Sequence, residues 1–491
     1  MAISFNEIPA NIRQPLFYAE IDNSRANKFS QNLKSLLIGQ SVLPMAVEPL
    51  LITSVDQAKN LFGNGSMLAR MVESYRKNDR FGELWCLPLG NPVSTTEKTI
   101  KFLIDAPISG SGLLSLYVAG ELLKIVVPSG STSEEISNLI TAAINANVDL
   151  PVSAVASLTV THAIVTLTAK NGGEISNSID VQFNFNNQLG SEKYPENVQP
   201  VIETSVTGVG SPDIEAALAT LGDLEFEYIG HPYTDTTSMT FFRDEMVRRW
   251  AFDTQLYGHV FTALQGSTSA LNTIGDGLND QHTTLFGYYG SPSWAPEVVS
   301  AGMAQIAASA NIDPARPFQT LPLIGVVPAK LSQQFTKTEI NTLLYSGITP
   351  INYSGGYARI VRAITTYQQN VYGQPDISYL DATTMFTLAR IVRELRLVIT
   401  SKFPRHKLAN DGTSFGAGQA VVTPKTIKAE IIALYERLET LGLVENISKF
   451  KEELIVERND TDPSRLDVLL PPDLIQGLVV FASQVQFRLA F

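Results

Sequence analysis

Between residues 211 and 375 short apolar runs alternate with amphipathic stretches, separated by brief polar loops. The runs at 226–229, 258–264, 283–288 and 321–327 read as strands, and 238–251, 267–278 and 295–310 read as helices. Parallel strands need a crossover between them, usually a helix, so this order predicts a mostly parallel sheet with helices on its faces. Residues 29–92 share the texture. A buried strand at 33–38 ends at Gly39, and Ser54-Val-Asp-Gln57 has capping-box form ahead of a helix through Leu61. A second helix at 67–76 leads to a strand at 84–89.

The texture changes after Pro92. Residues 95–204 are rich in Ser, Thr, Val, Ile and Asn, with strands expected at 98–104, 113–118, 122–127, 163–168 and 179–185. Gly120-Glu121 and Asn171-Gly172-Gly173 read as hairpin turns, and one helix is expected at 133–145. A β-rich block between two α/β segments predicts a domain inserted into a loop. With 491 residues the chain exceeds a single core. The expected division is an N-terminal arm at 1–22, a discontinuous α/β core at 23–92 and 204–375, an inserted β-rich outer domain at 93–203, and a C-terminal α+β domain at 376–491. The expected fold class is therefore α/β and α+β, multidomain.

Composition narrows the function. A formal net charge of −12 is unsuited to a nucleic-acid binder, which neutralises phosphates with Lys and Arg. The single cysteine, Cys86, lies in the apolar run Leu84-Trp85-Cys86-Leu87 and reads as a buried thiol. The first residues lack the apolar stretch of a secretory signal, and the uncharged stretch 150–169 is broken by Pro151 and rich in Ser and Thr, so neither export nor membrane insertion is expected.

The search for chemistry finds no catalytic, cofactor-binding or metal residues. Gly63-Asn-Gly65, Gly110-Ser-Gly112 and Gly208-Val-Gly210 each lack the third glycine of a dinucleotide fingerprint, and no Gly-x4-Gly-Lys-Ser/Thr occurs. His162, His231, His259, His282 and His406 have no metal-ligand spacing. Asp235, Asp244 and Glu245 would serve as an acid–base set only if Arg243, Arg248 and Arg249 did not surround the last two, so helical ion pairs are expected there.

The chain ends carry a different signal. From Val479 onward Phe481, Val485, Phe487, Leu489 and Phe491 fall on one face of an alternating strand, opposite Gln484, Gln486 and Arg488. Near the other end Phe17, Ala19 and Ile21 oppose Tyr18, Glu20 and Asp22. Apolar strands at both ends must pair, in their own fold or with another chain. Between Asp381 and Lys407 the basic residues Arg390, Arg393, Arg396, Lys402, Arg405 and Lys407 face only Asp381 and Glu394 among acids. Residues 429–463 are predominantly acidic. The two stretches read either as ordinary solvated faces or as complementary patches that orient subunit docking.

Three segments carry a family resemblance. Ile8-Pro9-Ala-Asn-Ile-Arg13-Gln-Pro15-Leu-Phe-Tyr18-Ala-Glu20-Ile-Asp22 resembles the opening of contractile tail sheath proteins of Mu-like bacteriophages. Arg359-Ile-Val-Arg362-Ala-Ile-Thr365-Thr366-Tyr367 resembles the end of that family's central core, and Tyr379-Leu-Asp381-Ala-Thr-Thr384 through Lys402-Phe-Pro404-Arg405-His406 the start of its C-terminal domain. The resemblance implies a non-enzymatic structural subunit, without cofactor, that stacks as hexameric rings in a helix around a tail tube. It implies terminal arms (Phe17, Ala19, Ile21; Val485, Phe487, Leu489, Phe491) that add strands to neighbouring subunits, and the charge placement then makes Arg390, Arg393 and Arg396 a docking patch for an adjacent subunit or the tube. The implied partners are neighbouring sheath subunits, the tail tube protein, and baseplate and tail terminator proteins, in a virion tail assembled in the host cytoplasm. Two alternatives remain open at this point: a nucleotide- or sugar-handling enzyme on the α/β core, and an adhesin whose inserted domain binds a ligand.

Overall fold

The computed structural model describes residues 33–103, 110–186, 192–416 and 418–488. The chain first lays down β1 (Lys34–Gln40), β2 (Leu50–Leu51), α1 (Val55–Phe62), α2 (Met67–Asn78) and β3 (Glu83–Leu89). Ser54 caps α1 by accepting from Gln57 N at 3.1 Å. The Gln57 side chain reaches back one residue further than a capping box requires, accepting from Thr53 N at 2.9 Å.

The chain then leaves this layer to form β4 (Glu97–Leu103), β5 (Gly112–Val118), β6 (Glu121–Val127), α3 (Ser133–Ala146), β7 (Val152–Leu158), β8 (His162–Ala169), β9 (Val181–Phe183) and β10 (Val201–Val206). These make two antiparallel sheets, ordered β10-β4-β8-β7 and β6-β5-β9, with α3 packed by Ile136, Ile140 and Ile144. The β5–β6 turn is Ala119-Gly120 rather than Gly120-Glu121, with φ of 50° and 82°. Both residues left-handed is the type I′ turn, whose twist matches that of its strands. Asn171-Gly172-Gly173 is not a hairpin turn: it leads from β8 into a 3-10 turn at Glu174–Ser178, before β9 of the other sheet.

The third stretch returns with α4 (Ile214–Ala219), β11 (Tyr228–Gly230), α5 (Thr236–Trp250), β12 (His259–Gln265), α6 (Thr268–Gly275), β13 (Thr283–Tyr288), α7 (Ala295–Ala310), β14 (Pro322–Leu323), α8 (Lys337–Tyr345), β15 (Ile348–Ser354) and β16 (Tyr357–Ile360). A nine-stranded sheet results, ordered β14-β16-β15-β13-β12-β11-β1-β3-β2. Its middle, from β15 to β3, is parallel, and the strands beyond are antiparallel. The strand expected at 321–327 shrinks to the edge pair β14, and β15 closes the parallel run instead. Pro322 supplies no N–H, which suits an edge. Along β1 the side chains alternate between two cores. Leu37 faces α1, α2 and α7, while Leu36 and Ile38 face α4 and α5. Burial on both faces explains why β1 and β3 read as near-continuous apolar runs.

The last stretch holds α9 (Ala382–Lys402), β17 (Lys407–Leu408), β18 (Val421–Val422), α10 (Pro424–Thr440), α11 (Ile447–Glu453), β19 (Ile455–Arg458) and β20 (Leu466–Leu469). α9 joins two cores. Ala382 and Phe386 belong to the large one, whereas Ile391, Leu395, Val398 and Ile399 pack with α10 and α11.

Candidate assembly surfaces

The C-terminal segment is held as far as Leu478 and released beyond it. Ile475 N donates to Leu443 O, Gly477 presses against Pro317, and Gln319 Nε2 donates to Leu478 O at 3.3 Å. A Cβ on Gly477 would come within 2.3 Å of the Pro317 ring, so this crossing requires glycine. From there to Arg488 the alternating residues form no strand and pair with no backbone among the described residues. The expected strand is therefore not formed over residues 479–488, since a strand needs a neighbour for its hydrogen bonds. Phe481, Val485 and Phe487 are 81%, 84% and 82% exposed. Leu489, Phe491, Phe17, Ala19 and Ile21 lie outside the described residues.

A two-stranded sheet with open edges stands on the same part of the molecule. β19 and β20 pair antiparallel, Ile455 opposite Leu469 and Arg458 opposite Leu466, and no third strand joins them among the described residues. Val456 and Leu466 pack onto α10 and α11, whereas Ile455, Val468 and Leu469 are exposed. An isolated hairpin is marginal in water, so this one relies on its helical backing.

The arginine patch is divided rather than shared. Arg393 is buried, donating from Nη2 to Glu225 Oε1 at 2.7 Å and to the Tyr257 carbonyl at 2.7 Å, and it also pairs with Glu227. Burial opposes its charge, but Glu227 and Glu225 outweigh that and raise its pKa. Glu227 feels the reverse, pushed upward by burial against the pull of Arg393. Arg393 is therefore a strut between α9 and the chain entering the central strands β11 and β12, and is buried rather than exposed for docking in the single chain. The helix turns this face onto the core because Phe386 and Ala389 lie on it too. Arg390 pairs with Glu394 at 2.8 Å. Arg396 is exposed, with no ion pair among the described residues, and the three arginines line one cleft with Glu225. The basic and acidic stretches also meet within the chain, through Lys402–Glu430 at 2.6 Å and Arg437–Glu394.

The crevice where a doubly wound sheet receives a nucleotide lies between β1 and β11, where the strand order reverses. This chain fills it with its own atoms. Gln40 Nε2 donates to Gly172 O at 2.9 Å and to Asn91 Oδ1 at 3.1 Å. Asn171 Oδ1 takes the first N–H of α2, from Met67, at 2.7 Å, and Ser66 takes that of Ala69. The helix start that would cradle a phosphate is thus already satisfied. A neighbouring cleft of about 670 Å³ is lined by Glu174 and Asp235 but by no Lys or Arg. Asp235 caps α5 through Ser238, and Arg243, Arg248 and Arg249 pair with Asp244 and Glu245 as the sequence suggests. Cys86 is buried, which pushes its thiol pKa up. No group of metal-ligating residues occurs among the described residues, and no helix of those residues is long and apolar enough to cross a membrane.

Sequence comparison supplies the class to which this geometry belongs. Residues 207–366 match the phage tail sheath protein central domain and residues 374–488 the phage tail sheath C-terminal domain. The chain belongs to the phage tail sheath family, a structural component of phage-like contractile tails. Among its relatives, the Mu-like prophage FluMu tail sheath protein of Haemophilus influenzae is 37% identical over 495 residues, covering 100% of both chains. Among solved structures, the sheath tail protein of Desulfitobacterium hafniense is 12% identical with a TM-score of 0.48, over 94% of this chain and 100% of that one. The sheath tail protein Lin1278 of Listeria innocua is also 12% identical, with a TM-score of 0.47 over 92% of this chain and 94% of that one.

Two features escaped the sequence reading. The Arg393–Glu227 strut was readable only as a hint, since a Glu inside the apolar run Phe226–Ile229 needs a buried cation. The filled crevice left no local signal, because Asn171 and Met67 are 104 residues apart in the chain.

Proposed function

We propose that this chain polymerises helically as stacked hexameric rings around a tail tube, and that contraction of the polymer drives the tube through the host envelope. The exposed segment 479–488 carries the reading, because it offers an alternating apolar stretch with no strand partner among the described residues. The open-edged β19–β20 sheet is the kind of acceptor such a strand needs. An incoming strand would pair by backbone hydrogen bonds, while alternate apolar side chains set its register. The N-terminal segment, with Phe17, Ala19 and Ile21, would contribute a second donor. Residues 1–22 and 479–491 then act as arms, 93–203 as an outward domain, 23–92 and 204–375 as the core, and 376–491 as the assembly domain. Baseplate and terminator proteins would cap the ends of the polymer. Of the arginine patch, Arg396 and Arg390 remain available for docking, with Arg393 holding α9 in place. The assembly would take place in the host cytoplasm and end in the virion tail.

The test is truncation. Purified full-length chain should form tubes visible by electron microscopy, while the chain lacking 479–491 should stay dispersed with an unchanged melting temperature. Normal tubes from the truncated chain would remove the C-terminal arm from the assembly.

A further inference from the structure

Residues 369–375 project from the end of the sheet as a tight loop, closed by a bridge between Gln369 and Pro375. Its tip carries Val371 and Tyr372, 92% and 84% exposed. Tips of this kind are usually polar. This one is also unusually well fixed. Asn370 N donates to Gln374 O at 3.0 Å, and the Asn370 side-chain oxygen accepts from Tyr372 N and Gln374 N at 3.0 and 3.1 Å. Asn279 holds the base, accepting from the N–H groups of Gln368 and Gln369 and donating to Gln369 O. Behind the base Tyr367 stacks edge-on against Tyr379 and donates to Asp376 at 2.7 Å.

Beside the loop lies a groove of about 460 Å³ between α8 and residues 362–380, lined by Leu344, Tyr345, Ile364, Pro375, Ile377 and Leu380 among others. Tyr345 and Ile377 are 79% and 77% exposed. Together the four exposed side chains present roughly 600 Å² of largely apolar surface, given the size of such groups. A standard interface needs about 800 Å² per partner. In a tip-to-groove contact each partner contributes only about half of the patch, so the contact falls well short of stability on its own and suits one of several that a polymer reinforced by the terminal arms would make.

We infer that this face is an interface with a second copy of the chain, the Val371–Tyr372 tip of one copy seating in the Tyr345–Ile377 groove of the next. The inference rests on the sheath reading. Three observations favour a second copy as the occupant: membership of an oligomerising family, an area that needs reinforcement, and a tip fixed before binding, which lowers the entropy lost on docking. A tip-to-groove contact joins unlike surfaces and can therefore repeat from one copy to the next in a polymer.

The test uses the full chain in two forms. Val371→Asp with Tyr372→Ser should keep the circular dichroism and melting temperature of the parent and raise at least tenfold the concentration needed for tubes. In a second arm, Val371→Cys chains mixed with Tyr345→Cys chains should give an oxidised cross-linked dimer. Phe81→Cys, exposed on another part of the surface, is the control, and the buried Cys86 does not compete. Normal tube formation by the tip variant, or no cross-link above the control, overturns the interface while leaving the sheath reading intact. Failure of the parent chain to form any tube or ring overturns both.

Discussion

His231 and His259 are fully buried, and burial holds both imidazoles down to about 3. His231 lies flat on Phe242 with ring centroids 3.5 Å apart, and His259 shares a 2.8 Å hydrogen bond with Thr284. An unfolded histidine binds its proton near pH 6.5. Below that pH the unfolded chain therefore takes up protons that the folded one refuses, and stability falls as pH drops from 6.5 towards 3. Each imidazole should cost on the order of 2 kcal/mol between pH 7 and pH 5. Melting temperatures across that range should fall steadily, and His259→Asn, which cannot be protonated, should flatten the profile. The Arg393 strut makes a separate prediction. Arg393→Ala would leave Glu227 buried without its cation, costing about 3–5 kcal/mol, and calorimetry should show the loss. Replacing Arg393 and Glu227 together by Met and Gln should recover much of it, because the desolvation cost disappears with the pair.

At the scale of elements, the β19–β20 sheet can be tested without disturbing the core. Ile455→Lys and Leu469→Lys put charges on exposed positions, a substitution that natural edge strands use against pairing. Melting should change little, and tubes should shorten or vanish under the microscope. The same elements show what the sequence could reveal. Thr283–Tyr288 and Ala295–Ala310 were legible to the residue, because a strand buried on both faces and a helix of small apolar residues leave unambiguous patterns. β15 was missed because its run carries Thr349, Pro350 and Asn352, and its place in the sheet comes from pairing with β13 rather than from composition. The C-terminal segment misled in the opposite direction. Its alternation marks a strand, but no strand forms there among the described residues. Arg393 was read as surface because sequence shows a helix face without showing what lies against it.

At the scale of the molecule, the two β-rich sheets are seated on the core rather than hung from it. Arg70 of α2, itself buried, pairs with Glu297 of α7 at 2.6 Å and donates to Asp149 O beyond α3, also at 2.6 Å. Trp294 donates to Ser178 at 2.9 Å, and Lys59 pairs with Asp149 at 2.6 Å. Replacing 93–203 by a short linker would strip cover from Trp294, Arg70 and Met67. Such a chain should melt several degrees lower yet still form tubes, if the outward position proposed for this region is right. Loss of tubes with a preserved core would place these sheets in the lattice instead.

The segment 479–488 also bears on how faulty copies are cleared. A protease needs several residues of extended, unpaired backbone, and this segment offers a long exposed run of it. Dispersed protein treated briefly with a protease should be clipped there first, and the same protein in tubes should be spared. Copies that never find a neighbour would then be trimmed of their connector and barred from later joining. Incorporation would thus double as protection, and the growing polymer would draw only on intact chains.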